Sequence, residues 1–364
     1  MKSPVVGILK RNNFKIDSEI EVYKTILDFN KIENISLDIN QKNFWNTIKE
    51  IDLLIYKWGH DHHNFQIATT ILPIIEKIMG IKCFPDLSTC WHYDDKIKQY
   101  YLLKENDFPV VDSFVFWSKD AATEWLDEYD SFPVVHKLRN GSGSMAVKLV
   151  SSKREASRII SRMFGRGLLQ TDVSLYHTAK TLNYNPTKIF RHYAINFRNR
   201  FIYPEKQQFW TRHKNYAYFQ KFLPDNQWDT RVTTAGNRAH AFRRFTRPND
   251  FRASGSNKWD IDPAKIDMRM VRTALEISRK LRFQAMAYDF IFDENNEPKI
   301  VEMSYLYGGA GYPDFMNGYW DENLEWHPGR FWPQYFELVD ILEMPDLKVP
   351  YIETDTSYKK AQIE

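Results

Sequence analysis

A chain of 364 residues is longer than one hydrophobic core usually serves, and its 43% hydrophobic residues, with 25 Phe, 20 Tyr and 11 Trp, can fill two or three packed domains. The 50 Lys plus Arg against 47 Asp plus Glu argue against nucleic acid or an anionic membrane as a partner, so any positive site must be local. Cys83 and Cys90 are too few for a disulfide framework or a metal knuckle, and no apolar run approaches the roughly 18 residues of a spanning helix, so a cytoplasmic protein is expected.

Residues 4–9 and 51–56 read as short apolar strands with a helix near 18–29 between them. A helical pattern over 66–79 ends at Gly80 and leads to a strand at 82–84. This rhythm predicts an N-terminal α/β domain over 1–92. A second unit over 93–165 opens with a helix from Asp94-Asp95-Lys96 to Leu103, followed by a strand at 113–117 and a helix at 119–129. A strand at 133–138, a Gly/Ser loop, a strand at 146–150 and a helix at 153–164 complete an α+β unit. Residues 166–216 carry no sustained period and read as an insertion. Strands return at 218–222, 229–234 and 240–245, then a helix at 263–281. The hairpin 287–292 with 299–304, around the polar turn 293–298, belongs to a third unit, 217–345, with a tail at 346–364.

Three constellations bear on chemistry. The strand carrying Lys137 runs into Arg139-Asn140-Gly141-Ser142-Gly143-Ser144, whose small residues can turn backbone N–H groups toward phosphate oxygens, although an ordinary hairpin turn has the same composition. Neither the Gly-Lys-Ser/Thr phosphate loop nor GxGxxG is present. Asp289 interrupts an apolar strand, and Glu302 and Ser304, two residues apart on the returning strand, share a face. Hard oxygens of this kind suit Mg²⁺ beside phosphate, or else form a solvated strand face. Arg231, Arg243, Arg244, Arg247 and Arg252 match phosphate or carboxylate, or else make a basic surface. His60, His62 and His63 lack zinc spacing and read as structural or as part of a substrate loop, while Cys83 and Cys90 read as buried thiols.

In their order, Asp94-Asp95-Lys96, His136-Lys137-Leu138-Arg139 with Gly141 to Ser144, Gln220-Lys221-Phe222-Leu223-Pro224, Phe251 to Ser256 and Glu302-Met303-Ser304-Tyr305 resemble ATP-grasp enzymes. The resemblance is to the ATP-grasp proteins encoded among bacterial surface-polysaccharide genes, and it spans roughly residues 50 to 335. It implies an ATP-grasp fold of α/β and α+β parts behind a Rossmann-like pre-ATP-grasp domain, with ATP and Mg²⁺ as cofactors. It implies that Lys96 and Lys137 hold phosphates, that Gly141, Ser142, Gly143 and Ser144 form a lid, and that Gln220, Lys221, Phe222 and Leu223 meet adenine with Asp229 near ribose. Asp289, Glu302 and Ser304 fall at the magnesium ligands, Ser304 replacing the usual Asn, and Arg252 with Lys137 and Arg244 at the reacting groups. The reaction so implied is ATP-dependent joining of a small-molecule carboxylate to an amine through an acyl phosphate, with an amino acid and a sugar or sugar nucleotide as candidate substrates. A kinase acting on a hydroxyl and a non-catalytic nucleotide-binding scaffold are the alternatives, and a homo-oligomer is left open.

Overall fold

The computed structural model describes residues 3–11, 18–141, 147–169, short stretches between 185 and 198, 212–247, 250–253, 258–307, 316–330 and 332–350. Four parallel strands form the first sheet: β1 (Val5–Leu9), β2 (Glu33–Leu37), β3 (Leu53–Ile55) and β4 (Lys82–Phe84), in the order β2-β1-β3-β4. Every residue of β1 is buried, as a central parallel strand requires, and Gly7 is demanded by space, because a Cβ there would stand 2.6 Å from Ile51 Cδ1 and 2.7 Å from Leu37 Cδ1. The helix expected over 66–79 begins earlier, at His62, because Asp61 caps it by accepting from Asn64 N–H. It passes at Pro73 into a π-helical turn over Ile74–Ile78. Cys83 and Cys90 are unpaired and buried, and burial pushes the Cys83 thiol up to about 12.

The second sheet is small and antiparallel, with β5 (Ser113–Phe116), β6 (Val134–Lys137), β7 (Val147–Val150) and β8 (Ala217–Lys221) in the order β5-β8-β6-β7. Helices Lys119–Glu128 and Lys153–Met163, capped by Ser118 and Ser152, cover one of its faces through Ala122, Leu126, Ala156 and Ile160. The opposite face is left to the cleft described below.

The third sheet comprises β9 (Trp228–Ala235), β10 (Arg238–Phe245), β11 (Trp259–Asp260), β12 (Ala285–Phe292), β13 (Pro298–Ser304), β14 (Gly318–Trp320) and β15 (Trp326–Pro328). Its order is β13-β12-β9-β10-β14-β15, with β11 on β10. Helix Met268–Leu281, capped by Asp267, packs its buried Met270, Val271, Ala274 and Ile277 beneath it. Antiparallel register sets Asp289 opposite both Glu302 on β13 and Arg231 on β9, and sets Arg244 opposite Asp229.

Two clusters join the first sheet to the third. The rings of Trp58, Tyr93 and Tyr305 pack in edge-on and tilted pairs with centroids 4.5 to 5.7 Å apart, and Tyr305 donates its hydroxyl to the Trp58 carbonyl at 2.5 Å. Lys57, fully buried just beyond β3, sits against the rings of Tyr23, Phe84 and Tyr307, with Glu337 Oε1 at 3.8 Å and Glu19 Oε2 at 4.0 Å. Tyr23 and Tyr307 both donate to the Glu337 carboxylate, on helix Pro333–Leu342. Among the described residues no helix is long and apolar enough to cross a membrane.

Candidate functional site

The second and third sheets face each other across a cleft with a cavity volume of about 150 Å³ that opens to solvent. Strand alternation decides what enters it. On β6, Val135 and Lys137 line the cleft, whereas His136 points the other way, with Nδ1 3.1 Å from the Tyr218 carbonyl and its pKa pushed by burial down to about 4. Val147, Ile291 and Val301 add apolar wall. Between β8 and β9 the chain from Phe222 to Asn226 belongs to no strand, and Phe222 and Leu223 line the cleft there. Phe222 is held edge-on against Phe251 at 5.6 Å. Gln220 shows the cleft an edge while its amide donates to Ser113 Oγ at 3.2 Å, and Lys221 extends outward to Glu294 at 2.6 Å.

Lys137 is 4% exposed, and burial pulls it down to about 8, opposed by the charges of Glu302 and Asp289 and assisted by that of Lys96. Among the described residues no carboxylate lies within ion-pairing distance of its ammonium. Lys96 is equally buried but partnered: its ammonium donates to the Gly141 carbonyl at 2.7 Å and pairs with Glu302 Oε1 at 3.1 Å. Burial lowers its pKa, but Glu302 and Asp94 together raise it further, so it is held above the ordinary lysine range.

The start of the Gly/Ser loop is latched to the segment before helix Lys96–Lys104. Asp94 Oδ1 accepts the Gly141 N–H at 2.9 Å and lies 3.3 Å from His60 Nδ1. Asn140 donates to the Asp94 carbonyl at 2.6 Å, and Arg139 donates through Nε and Nη2 to Asp95, both at 2.6 Å. Burial alone would raise the Asp94 carboxyl, but His60, Lys96 and the Gly141 N–H bring it below the usual range. Gly141 itself has φ of +120°, a conformation open to glycine. Ser142, Gly143 and Ser144 lie outside the described residues.

Asp289 is gripped by two guanidinium groups. Arg231 forms a fork to it at 2.8 and 2.9 Å, and Arg244 reaches its Oδ2 at 2.8 Å while forming a second fork, both arms 2.7 Å, to Asp229. These arginines overcome the effect of burial and hold the Asp289 carboxyl far below the usual carboxylate range. Asp229, expected near a ribose, is therefore a partner of Arg244 here. The Ser304 hydroxyl is likewise engaged, donating to the Leu306 carbonyl at 2.8 Å and accepting from its N–H at 3.2 Å. Of the three oxygen donors expected for a divalent cation, Glu302 fits one, with 38% of its side chain exposed and a single lysine contact; Asp289 and Ser304 are spent on neighbours. Arg252 enters the cleft with its guanidinium folded onto Asp250 at 2.6 to 3.1 Å.

No protein-family model and no curated protein matches this sequence. Solved structures do match it. N5-carboxyaminoimidazole ribonucleotide synthetase from Thermotoga maritima superposes with a TM-score of 0.54 at 14% identity, covering 96% of this chain and 78% of that one. The ATP-grasp ligase PsnB, complexed with its minimal precursor, gives 0.53 at 11%, covering 94% and 99%. Carboxyaminoimidazole ribonucleotide synthase from Aspergillus clavatus, complexed with ATP, gives 0.51 at 11%, covering 96% and 78%.

The chain has the ATP-grasp fold. The expected α/β and α+β ATP-grasp architecture is borne out, and the structure resolves it into a parallel N-terminal sheet ahead of two antiparallel ones. Among the described residues expected to act together, all but Gly141, Lys96 and Ser304 line one cleft: Ser304 turns to its own loop, and Lys96, with the Gly141 carbonyl on its ammonium, meets the cleft through Glu302. Sequence reasoning did not find Arg231 as a partner of Asp289, nor Asp94 and Asp95 as the latch of the loop. Their partners lie 58, 47 and 44 residues away, and only the register of the folded sheets reveals them.

Proposed function

We propose that the protein is an ATP-dependent carboxylate–amine ligase. The observation that carries the reading is the pair of buried lysines, Lys137 lining the cleft without a carboxylate partner among the described residues and Lys96 beside it through Glu302. A buried ammonium is costly unless an anion neutralises it, and a polyphosphate is such an anion. In this reading Lys96 and Lys137 hold the phosphates, and Phe222, Leu223 and the backbone between β8 and β9 receive the adenine. A carboxylate oxygen of the first substrate attacks the γ-phosphorus as the bond to the ADP oxygen breaks. The amine nitrogen of the second then attacks the acyl carbon, phosphate leaves and the amine gives up its proton. Lys137, Arg244 and Arg252 act as fixed or nearby positive charge for the phosphoryl group in flight, and the Gly/Ser loop excludes water from the acyl phosphate. Magnesium, when bound, would neutralise phosphate charge from the Glu302 side of the cleft. The likeness of the motifs to ATP-grasp proteins of surface-polysaccharide gene clusters supports an amino acid and an amino sugar or sugar nucleotide as the joined pair.

The test is incubation with ATP, Mg²⁺ and panels of amino acids and amino sugars, read by mass spectrometry beside a Glu302→Ala control. ADP appearing with a condensed product, both lost in the control, is expected. ADP with a stable phosphorylated compound would make the protein a kinase, AMP would refute an acyl phosphate, and nucleotide binding without turnover on any pair would leave a scaffold.

A further inference from the structure

Asp289 and Glu302 face each other across β12 and β13, yet they are chemically unequal. An ionised carboxylate offers about four lone-pair positions. Three of those on Asp289 are taken by charged donors: Arg231 Nε on Oδ1, and Arg231 Nη2 with Arg244 Nη2 on Oδ2. Arg244 cannot leave without stranding Asp229, which it holds by its other fork, and Asp229 is itself only 15% exposed. Among the described residues Glu302 has one charged contact, to the buried ammonium of Lys96, which a phosphate could share. The guanidinium groups of Arg231 and Arg244 both point at Asp289, whereas Glu302 pairs only with the ammonium of Lys96 among the described residues.

We infer that the site binds a single divalent cation through Glu302 and nucleotide phosphate, and that the Arg231–Asp289–Arg244 cluster occupies, with fixed guanidinium charge, the place where Asp289 would otherwise help to bind a second ion. This rests on the nucleotide reading proposed above. Guanidinium groups hydrogen-bonded to the shared carboxylate repel an incoming divalent ion, whereas they complement a triphosphate that is already partly neutralised. Arg231 is thus a positioning residue: it fixes Asp289 and, through it, the aim of Arg244 into the cleft.

The deciding experiment is a Mn²⁺ titration of the whole chain with the non-hydrolysable analogue adenylyl imidodiphosphate at saturation, with free Mn²⁺ read by electron paramagnetic resonance. One Mn²⁺ per chain is expected, and Glu302→Gln should weaken it by about tenfold or more while Asp289→Asn leaves the count at one. Two Mn²⁺ per chain with the analogue bound would overturn the single-ion assignment and leave the nucleotide reading intact. An analogue that fails to bind, followed in parallel by calorimetry, would instead sink the nucleotide reading and the ion count with it. The count on the unaltered protein decides the matter even where a variant does not fold.

Discussion

Replacing Lys137 by Met should make the protein more stable and less able to bind nucleotide. Burial brings the Lys137 ammonium from 10.5 to about 8, and that lowering corresponds to about 3 kcal/mol spent on keeping it charged inside the fold. Below pH 8 the folded and unfolded chains both carry the proton, and the folded one bears the whole cost. Between about 8 and 10.5 the folded lysine is neutral while the unfolded one is still charged, so the native chain gains stability as pH rises; above 10.5 the contribution is gone. Methionine has similar length and no charge. The lowering is already net of the attraction of Glu302 and Asp289, so Lys137→Met should gain about 1 to 3 kcal/mol at pH 7 without nucleotide, and the gain should shrink towards zero at pH 10. Affinity for an ATP analogue should fall by about tenfold to a hundredfold. Denaturant or thermal unfolding of both proteins at the two pH values measures the first effect, and calorimetry the second. A variant less stable than the native chain at pH 7, or one whose advantage is the same at both pH values, would refute the reasoning.

Three further outcomes are expected. Glu302→Gln preserves shape but removes the charge beside Lys96, so metal-free nucleotide binding should change by less than about threefold while ADP formation falls by about a hundredfold or more, a contrast that kinetics beside calorimetry would expose. Asp94→Ala removes the acceptor of the Gly141 N–H and the partner of His60, costing about 1 to 3 kcal/mol and raising the KM for nucleotide more than it lowers kcat. Because its carboxyl is held below 3.8, that stabilisation should be present above this value and vanish as pH falls through the lower folded value, which unfolding at pH 7 and at acid pH compares. Gly236→Ala forces a Cβ at φ of +56°, placed 1.9 Å from Asp340 Oδ2, and should cost at least about 1 kcal/mol in unfolding experiments, only part of it recovered by a second Asp340→Ala change.

The hairpin that carries Asp289 and Glu302 was legible because its strands are long, apolar and joined by a well-marked polar turn. Lys137 was legible because a short β-strand delivers it directly into a Gly/Ser loop. Strand β2, Glu-Asn-Ile-Ser-Leu, escaped notice because it lies at a sheet edge, with only Leu37 fully buried, and its composition is that of a turn as much as of a strand. Strands β14 and β15 are three residues each, too short to show a period. The arginines were visible as a group, and Arg252 pairs with Asp250 only two residues away, but that Arg231 and Arg244 would be consumed by Asp289 and Asp229 depended on cross-strand register, which no local pattern encodes.

The buried ammonium of Lys57 binds together pieces of chain that the linear order keeps far apart, with Glu19 and Tyr23 near one end and Tyr307 and Glu337 near the other. The parallel sheet is therefore not a detachable module. Cut free of the helix that supplies Glu337, it would be left with a buried cation faced by Glu19 alone at 4.0 Å and with two tyrosine hydroxyls deprived of their acceptor, so a fragment ending before residue 333 should be recovered as insoluble material, whatever the state of the cleft.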